Sequence, residues 1–502
     1  MRGFEIALIA MNLLTVFLGP SKKRSKAFLL GLASMNGVVF VLHGIVEGLR
    51  YQMVFSYIFV FLFAVYAVVK ATVAISENKF TKILKGIAIS ISILLLTMTS
   101  LMAYALPVFK LPSPTGNYDV GVQYTYFTDD QRLEPFLKGS TDKRELSVKI
   151  YYPAIQDKSK PNITYFHDSP KLIEVFTKGN RLPKFLFSHL RLVQTHSQEG
   201  LLLSDNEENY PVILFSHGGG TTMEVYMSQC EDLASRGYIV VAINHTYVSS
   251  ATELPGRIVT DRDATVNFEG DPLDSITHIM ADDASFVVDK LEEMNAGKVD
   301  SIFAGKLNLE KIGIAGHSLG GAAAYNLAIN DSRIKAAINL DGAVYAVSDG
   351  TKAIAPFLML ANDEYMIQSV MRGEPFMLKL EEIPAQDQEA VASAYGGKEA
   401  YMDIYRKQEQ AASELAETLK SSDSLLFIEG SSHMKFADIG LFMGPGFRRF
   451  IGINGETSSE QCLDITRAVT LNFFNQYLKD ETGDSLESVL RQYPKLQKAK
   501  WM

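Results

Sequence analysis

The chain has 502 residues, of which 47% are hydrophobic and 21% are charged, and its formal net charge is −9. This length exceeds the ~250–300 residues at which a single hydrophobic core stops growing, so we expect at least two structural units. Residues 1–110 carry a net charge of +8 and the remainder carries −17, and such an acidic body argues against nucleic-acid binding, which needs a basic face.

Apolar runs dominate the first 106 residues of the chain. Each run is close to the ~20 residues with which a helix crosses a hydrocarbon core. We therefore predict an all-α transmembrane domain of four helices over residues 1–109. Its first helix should be retained, because no small-residue cleavage site follows it. The predicted spans are approximately Gly3–Leu18, Ala27–Ile45, Met53–Ile75 and Ile83–Leu106.

The short loops between these runs predict the orientation of the domain. The first loop contains Lys22–Lys26 with four positive charges, and Lys79–Lys85 adds three lysines around the third loop. The second loop has only Arg50, balanced by Glu47. Basic short loops stay in the cytoplasm. We therefore expect a multi-pass protein of the cell membrane, with everything after about residue 107 outside the cytoplasm.

The pattern changes after a Pro/Gly-containing linker at 110–120. From 121 to 502, short apolar runs alternate with helical stretches such as Asp282–Met294 and Gly320–Ala328. Continuous apolar runs of about 5–7 residues are typical of parallel strands covered on both faces. This alternation predicts an α/β fold with a doubly wound sheet. The predicted strands are Glu145–Ala154, Tyr210–Gly220, Gly237–His245, Lys311–Ser318, Ile334–Gly342, Pro356–Asp363 and Ser424–Gly430.

Two segments interrupt this alternation and are interpreted as insertions, near 165–200 and 363–424. The first is apolar and basic, and the second is rich in Glu, Gln and Ala. Within the first, Lys184–Gln198 fits two interpretations equally. It either rests on lipid headgroups through apolar residues such as Phe185 and Leu190, or it packs as an ordinary helix.

The sharpest motif is the sequence Gly-His-Ser-Leu-Gly at Gly316–Gly320. It follows a predicted strand and precedes a predicted helix, which is the context of a nucleophile elbow. Its glycines allow the tight turn that holds the hydroxyl of Ser318 out at the strand end. Ser318 is therefore the predicted nucleophile.

A serine nucleophile needs a base and an acid, which follow it along the chain in this type of fold. His433 is the only histidine after Ser318 and is therefore the predicted base. Asp341 and Asp363 both end predicted strands before His433. Spacing alone leaves the choice of acid between these two aspartates open.

The sequence His-Gly-Gly-Gly at His217–Gly220 lies between a predicted strand and a helix. In esterases such a glycine run lends a backbone N–H to the oxyanion hole. The second donor would be the N–H of Leu319, the residue after the nucleophile. A phosphate-binding loop is disfavoured, since no Lys-Ser/Thr pair follows the glycines.

These motifs resemble the plasma-type platelet-activating factor acetylhydrolase family of α/β-hydrolases. The resemblance covers about Ser113–Tyr477 and leaves the four apolar runs outside it. It implies Ser318 as nucleophile, His433 as base, Asp341 as acid with Asp363 as the alternative, and Gly219 and Leu319 as oxyanion donors. The matching pieces are SPTGNYDVG, VKIYYPA, YPVILFSHGGG, LASRGYIVVAINH, KIGIAGHSLGGAAA, INLDG and EGSSHMKFAD.

The expected function is that of a membrane-anchored serine ester hydrolase. The resemblance implies cleavage of short or oxidised acyl esters of phospholipids, without a metal or other cofactor. A polyester or small-ester hydrolase and an acyltransferase would share the same triad, and a sensor built on an inactive hydrolase is a further alternative. The partners expected are thus a lipid or small ester and the membrane.

Two cysteines are too few for a cysteine-based zinc site, and we expect Cys230 and Cys462 to be buried free thiols.

Overall fold

A computed structural model describes residues 1–19, 24–73, 78–167, 170–179, 183–266, 268, 271–345, 355–450, 452–481 and 485–501. Lys22 and Lys23 of the basic first loop, and Ile75 at the end of the third predicted span, lie outside these ranges. The α-helices are α1 (Gly3–Leu18), α2 (Lys26–Val46), α3 (Val54–Thr72), α4 (Lys79–Ala105), α5 (Pro170–Gly179), α6 (Met227–Ser235), α7 (Pro272–Asn295), α8 (Leu319–Asn330), α9 (Met366–Arg372), α10 (Gln388–Ala394), α11 (Lys398–Ser422), α12 (Pro445–Phe450), α13 (Ser459–Leu478) and α14 (Leu486–Gln492). The strands are β1 (Asp119–Leu133), β2 (Lys143–Ala154), β3 (Ser197–Glu199), β4 (Tyr210–Ser216), β5 (Ile239–Asn244), β6 (Thr252–Leu254), β7 (Arg257–Val259), β8 (Leu307–His317), β9 (Ile334–Leu340), β10 (Phe357–Asn362), β11 (Leu425–Ile428) and β12 (Leu496–Lys498).

The chain forms two compact units, and the first contains α1–α4. Three of its segments are long and apolar enough to cross a membrane: Lys26–Val46, Tyr51–Thr72 and Lys79–Ala105. Helix α1 is apolar but shorter, with 16 residues, so the fourth span stays a prediction. The first unit comprises Met1–Lys110, Asn180–Gln194 and Phe442–Ile451.

Two pairs of ionisable side chains lie among the described residues of this first unit. Glu5 and Arg50 are both buried, and Arg50 Nε lies 2.7 Å from Glu5 Oε1. Near the end of α2, His43 Nδ1 lies 3.0 Å from Glu47 Oε2. Because an unpaired charge is costly in an apolar environment, these pairs allow the helices to pack with ionisable groups between them.

The basic, apolar segment of the first predicted insertion forms short 3-10 turns at Lys184–Leu186 and Ser188–Leu192. Leu190 is buried within the first unit, whereas Phe185 is 43% exposed. The side chain of Gln52 donates a hydrogen bond of 2.7 Å to the Leu186 carbonyl. The expectation of one ordinary helix is therefore wrong, and Leu190 contacts protein rather than headgroups.

The second unit contains a ten-stranded sheet in the order β12-β11-β10-β9-β8-β4-β5-β2-β1-β3. Strands β5, β4, β8, β9, β10 and β11 are parallel to their neighbours in this series. Each of the seven predicted strands is present, with ends that differ by a few residues. The mostly parallel, doubly wound sheet confirms the predicted fold class.

The strands that sequence reasoning missed lie mainly at the margins of the sheet. β1 pairs with β2 in antiparallel register and is largely polar in sequence, so it lacks the continuous apolar run of a central strand.

Helix α7 begins at Pro272, well before the predicted Asp282, because the side chain of Asp271 caps its first turn. Cys230 and Cys462 are buried free thiols.

Candidate active site

Ser318 occupies a sharp turn between the end of β8 and the start of α8. Its backbone has φ 57° and ψ −122°, a strained conformation for a residue with a side chain. The turn is closely packed: a Cβ at Gly320 would lie 2.2 Å from the Ser216 carbonyl oxygen. A Cβ at Gly342 would lie 2.2 Å from the carbonyl oxygen of Ser318 itself. Glycine at both positions therefore allows the turn to form.

His433 and Asp341 are brought together from different parts of the sheet. Asp341 follows β9, and His433 begins a 3-10 turn after β11. His433 Nδ1 lies 2.6 Å from Asp341 Oδ2, and Asp341 is fully buried while the His433 side chain is 28% exposed. In the described part of the chain, neither His433 Nε2 nor the Ser318 hydroxyl makes a hydrogen bond.

Asn362, at the end of β10, fixes the Asp341 carboxylate. Its backbone N–H donates to Asp341 Oδ1 and its side-chain amide donates to Oδ2, both at 2.6 Å. The amide orientation is determined, because Asn362 Oδ1 accepts from the N–H groups of Glu364, Tyr365 and Met366. Asp341 thus accepts three hydrogen bonds, two from Asn362 and one from His433, which fix the position of its carboxylate. Sequence reasoning missed Asn362, although an Asn before a turn is a typical side-chain acceptor for backbone N–H groups.

Asp363 lies next to Asn362 in the chain, but its carboxylate forms a hydrogen bond in the loop before His433 and not with His433 itself. Its Oδ2 accepts a hydrogen bond of 2.9 Å from the backbone N–H of Gly430. Gly430 belongs to the loop that leads to His433. The structure therefore pairs His433 with Asp341 and places Asp363 where it supports the loop of the histidine.

The glycine run at the end of β4 lies beside the serine turn. β4 and β8 are parallel neighbours with Ser216 opposite Gly316, so their carboxyl ends meet. A Cβ at Gly218 would lie 3.1 Å from Ser318 Cβ, and one at Gly219 would lie 2.7 Å from Leu319 Cδ1. Among the described residues, the N–H groups of Gly219 and Leu319 have no acceptor, which leaves two donors free near Ser318.

A chain of hydrogen bonds links the glycine run to the histidine loop. Gly218 N–H donates to the hydroxyl of Tyr226 at 3.2 Å, and that hydroxyl lies 2.8 Å from His317 Nδ1. His317 Nε2 lies 3.0 Å from the His433 carbonyl oxygen. Since a carbonyl only accepts, Nε2 carries the proton and Nδ1 accepts from Tyr226. Burial, followed by the nearby His433, lowers the pKa of His317 well below its usual value, which keeps this arrangement neutral.

A second buried chain supports the glycine run from the other side. His217 Nδ1 donates to the Gly218 carbonyl at 2.8 Å, and His217 Nε2 accepts from the His245 backbone at 3.0 Å. Burial lowers the pKa of His217 to about 3. His245 Nδ1 lies 3.0 Å from Asp283 Oδ2, and Asp283 is paired with the fully buried Arg144 at 2.6 Å. The loop is thus held by neutral imidazoles anchored to a buried ion pair.

The nitrogen and oxygen atoms of His317, Asp341 and His433 lie within 4.8 Å of one another, close enough to hold a metal ion. However, both His317 nitrogens are already hydrogen-bonded, Nδ1 to the Tyr226 hydroxyl and Nε2 to the His433 carbonyl. His433 Nδ1 is likewise hydrogen-bonded to Asp341. A metal would have to displace these hydrogen bonds, so the donor set fits proton transfer better than metal coordination.

A strained serine at a strand–helix turn, with a His–Asp pair beyond the neighbouring strand ends, defines an α/β-hydrolase. The chain belongs to the family described as platelet-activating factor acetylhydrolase, isoform II, whose model matches residues 104–264 and 282–491. This confirms the resemblance noted in the sequence. The family is one of carboxylic ester hydrolases.

Individual relatives agree with this assignment. A probable 1-alkyl-2-acetylglycerophosphocholine esterase of Arthroderma benhamiae is 29% identical, over 48% of this chain and 62% of the relative, which is less than two thirds of its length. The platelet-activating factor acetylhydrolase of Cavia porcellus is 23% identical, over 76% of this chain and 81% of the relative. The ferulic acid esterase of Streptomyces cinnamoneus shares the fold, with a TM-score of 0.55, 24% identity and coverage of 78% of this chain and 100% of that chain.

The hydrogen bonds of Tyr226 generate a prediction. Tyr226→Phe leaves Gly218 N–H and His317 Nδ1 without partners, which we expect to lower the free energy of unfolding by about 1–3 kcal/mol. Ester turnover should fall roughly tenfold, mainly in kcat, because the glycine run loses its position. The matched control is Tyr238→Phe, which removes a buried hydroxyl bonded to Asn475 Oδ1 at 2.7 Å. Equal turnover in the two variants would contradict a positioning role for Tyr226.

Proposed function

We propose that the protein is a membrane-anchored serine ester hydrolase that uses Ser318 as nucleophile, His433 as general base and acid, and Asp341 as the acid of the triad. The observation that carries the proposal is the 2.6 Å hydrogen bond between His433 Nδ1 and buried Asp341, beside a serine held at φ 57°. Family membership supports the same chemistry.

The reaction proceeds in two steps. Ser318 Oγ attacks the ester carbonyl carbon while His433 Nε2 accepts the hydroxyl proton, and the imidazolium is stabilised by Asp341. The negative charge that develops on the carbonyl oxygen is met by the N–H groups of Gly219 and Leu319. His433 returns the proton to the leaving alcohol, which gives an acyl-serine. Water then attacks this ester by the same route, releases the carboxylic acid and restores the serine.

Hydrogen bonds hold the groups of the triad in position during both steps. Asn362 holds Asp341, and Asp341 accepts from His433 Nδ1, so the imidazole keeps an orientation in which Nε2 remains free to exchange a proton. Each oxyanion donor of this kind typically contributes ~3–4 kcal/mol to lowering the barrier. The neutral His317 keeps a second positive charge away from His433.

The substrates we propose are phospholipids with a short or oxidised acyl ester. The names of the Arthroderma and Cavia relatives, an alkylacetylglycerophosphocholine esterase and a platelet-activating factor acetylhydrolase, support an acetyl or similarly short ester. Tethering to a membrane also supports a lipid substrate, because the first unit contains three helices with the length and composition of spans.

We further propose four membrane spans, with α1 as the first, and a hydrolase unit outside the cytoplasm. The support is the distribution of charge: basic residues flank the α1–α2 and α3–α4 connections, whereas Arg50 between α2 and α3 is paired with Glu5. The C-terminal end of α4 then lies on the side opposite the basic loops.

The nucleophile assignment is tested by Ser318→Ala. Removing a triad nucleophile typically lowers kcat by ~10⁶, so hydrolysis of p-nitrophenyl acetate by the purified full-length protein should fall to background. Ser393→Ala, on the exposed face of α10, is the control and should behave as the parent protein. Substantial turnover by a folded Ser318→Ala protein, judged by circular dichroism, would exclude Ser318 as the nucleophile.

The acid assignment is tested by comparing Asp341→Asn with Asp363→Asn. Loss of the triad acid typically costs ~10⁴ in kcat, because the histidine tautomer is no longer set. Asn at 363 still offers an oxygen to Gly430 N–H, so most activity should remain. Both kcat and KM should be measured on proteins with matching circular dichroism. The reverse order of activities would assign the acid to Asp363.

The orientation is tested with intact cells. A non-permeant protease added from outside should remove the part of the chain that follows Lys110, because we place it outside the cytoplasm. An epitope on the α3–α4 connection, near Lys79, should stay protected until the cells are lysed. Protection of the hydrolase unit in intact cells would reverse the proposed topology.

A further inference from the structure

A cleft of about 800 Å³ lies within the first unit, between α1, α3 and α4. Its walls are mostly apolar and include Val16 of α1, Phe59 and Leu62 of α3, and Ile89 of α4. The volume falls in the ~300–1,000 Å³ range of sites that hold a small molecule. Leu62 is 58% exposed, so the cleft can be reached from the lipid-facing side of the helices.

One end of the cleft is strongly basic. Lys70 of α3 and Lys82 and Lys85 of α4 line it, and no acidic residue is among the described residues that do so. Helix α4 begins beside these lysines, where the Asn78 side chain caps Thr81 N–H at 2.8 Å. The positive end of the helix dipole therefore adds to the lysine charges.

The basic end coincides with one side of the helix bundle. The cleft is formed by the end of α1, the part of α3 from Phe59 to Lys70, and the first half of α4. Our topology places this side in the cytoplasmic leaflet. Anionic lipids concentrate in that leaflet, where each nearby Lys or Arg contributes to their attraction.

We propose that this cleft is a binding site for an anionic glycerophospholipid. One acyl chain lies along the apolar wall formed by residues such as Phe59 and Ile89. The phosphate and anionic headgroup lie among Lys70, Lys82 and Lys85. All of the residues that line the cleft belong to the first unit. The proposal depends on the membrane placement of α1–α4 but not on the hydrolase chemistry.

Gly86 provides a selective way to fill the cleft. It lines the cleft on α4, and a Cβ placed there meets nothing within 4 Å. Gly86→Leu should therefore occupy the space of the acyl chain without a clash. Gly31 on α2 is the matched control, because a Cβ there also meets nothing within 4 Å and Gly31 does not line the cleft. Gly31→Leu makes the same change in a helix elsewhere in the bundle.

The experiment is native mass spectrometry of the detergent-solubilised full-length protein, titrated with dioleoyl phosphatidylglycerol or dioleoyl phosphatidylcholine. We expect the parent protein and Gly31→Leu to retain phosphatidylglycerol at least tenfold more than phosphatidylcholine. Gly86→Leu should lose at least tenfold of the bound phosphatidylglycerol. Ester turnover equal to that of the parent protein would show that the variant is folded.

A second variant tests the headgroup contacts independently of the acyl chain. Replacing Lys70, Lys82 and Lys85 together by Gln should abolish the preference for phosphatidylglycerol over phosphatidylcholine. Undiminished phosphatidylglycerol binding by Gly86→Leu would overturn the proposed site. A preference that survives the triple lysine replacement would equally overturn it, since the charge would then be recognised elsewhere.

Discussion

The Asp341 carboxylate is the constraint on which the rest of the site depends. It is fully buried and accepts three hydrogen bonds, two from Asn362 and one from His433. Because a buried polar group without hydrogen-bond partners is costly, these three hydrogen bonds stabilise the side chain in this position. The parallel pairing of β9 and β10 brings Asp341 and Asn362 to the same sheet edge. The sheet thereby determines where the imidazole of His433 can lie.

The histidine within the Gly-His-Ser-Leu-Gly turn is a structural element of the site. His317 is neutral, accepts from Tyr226 and donates to the His433 carbonyl, so it couples the glycine run to the histidine loop. An imidazolium in that buried position would lie beside the ring of His433, at a centroid distance of 4.5 Å. Burial therefore favours the protonation state that the hydrogen bonds require.

Much of this arrangement could be predicted from the sequence, because the central strands are continuous apolar runs and the elbow has a distinctive spacing. The choice between Asp341 and Asp363 could not be made from spacing, since both end neighbouring strands and only the side-chain directions separate them. Tyr226, Asn362 and Asp283 were missed because they act through hydrogen bonds between segments far apart in the chain. β1 was missed because an outer antiparallel strand needs no continuous apolar run. The family resemblance favoured Asp341, and the contacts that support this choice are its hydrogen bonds with His433 and Asn362.

The central claim is that Ser318 is a nucleophile activated by the His433–Asp341 pair. Labelling of the full-length protein with a fluorophosphonate probe, followed by peptide mapping with mass spectrometry, tests it most directly. The account predicts one adduct, on the peptide that contains Ser318, with labelling slowed by a competing ester. An adduct on a different residue, or a folded protein that does not react, would contradict it.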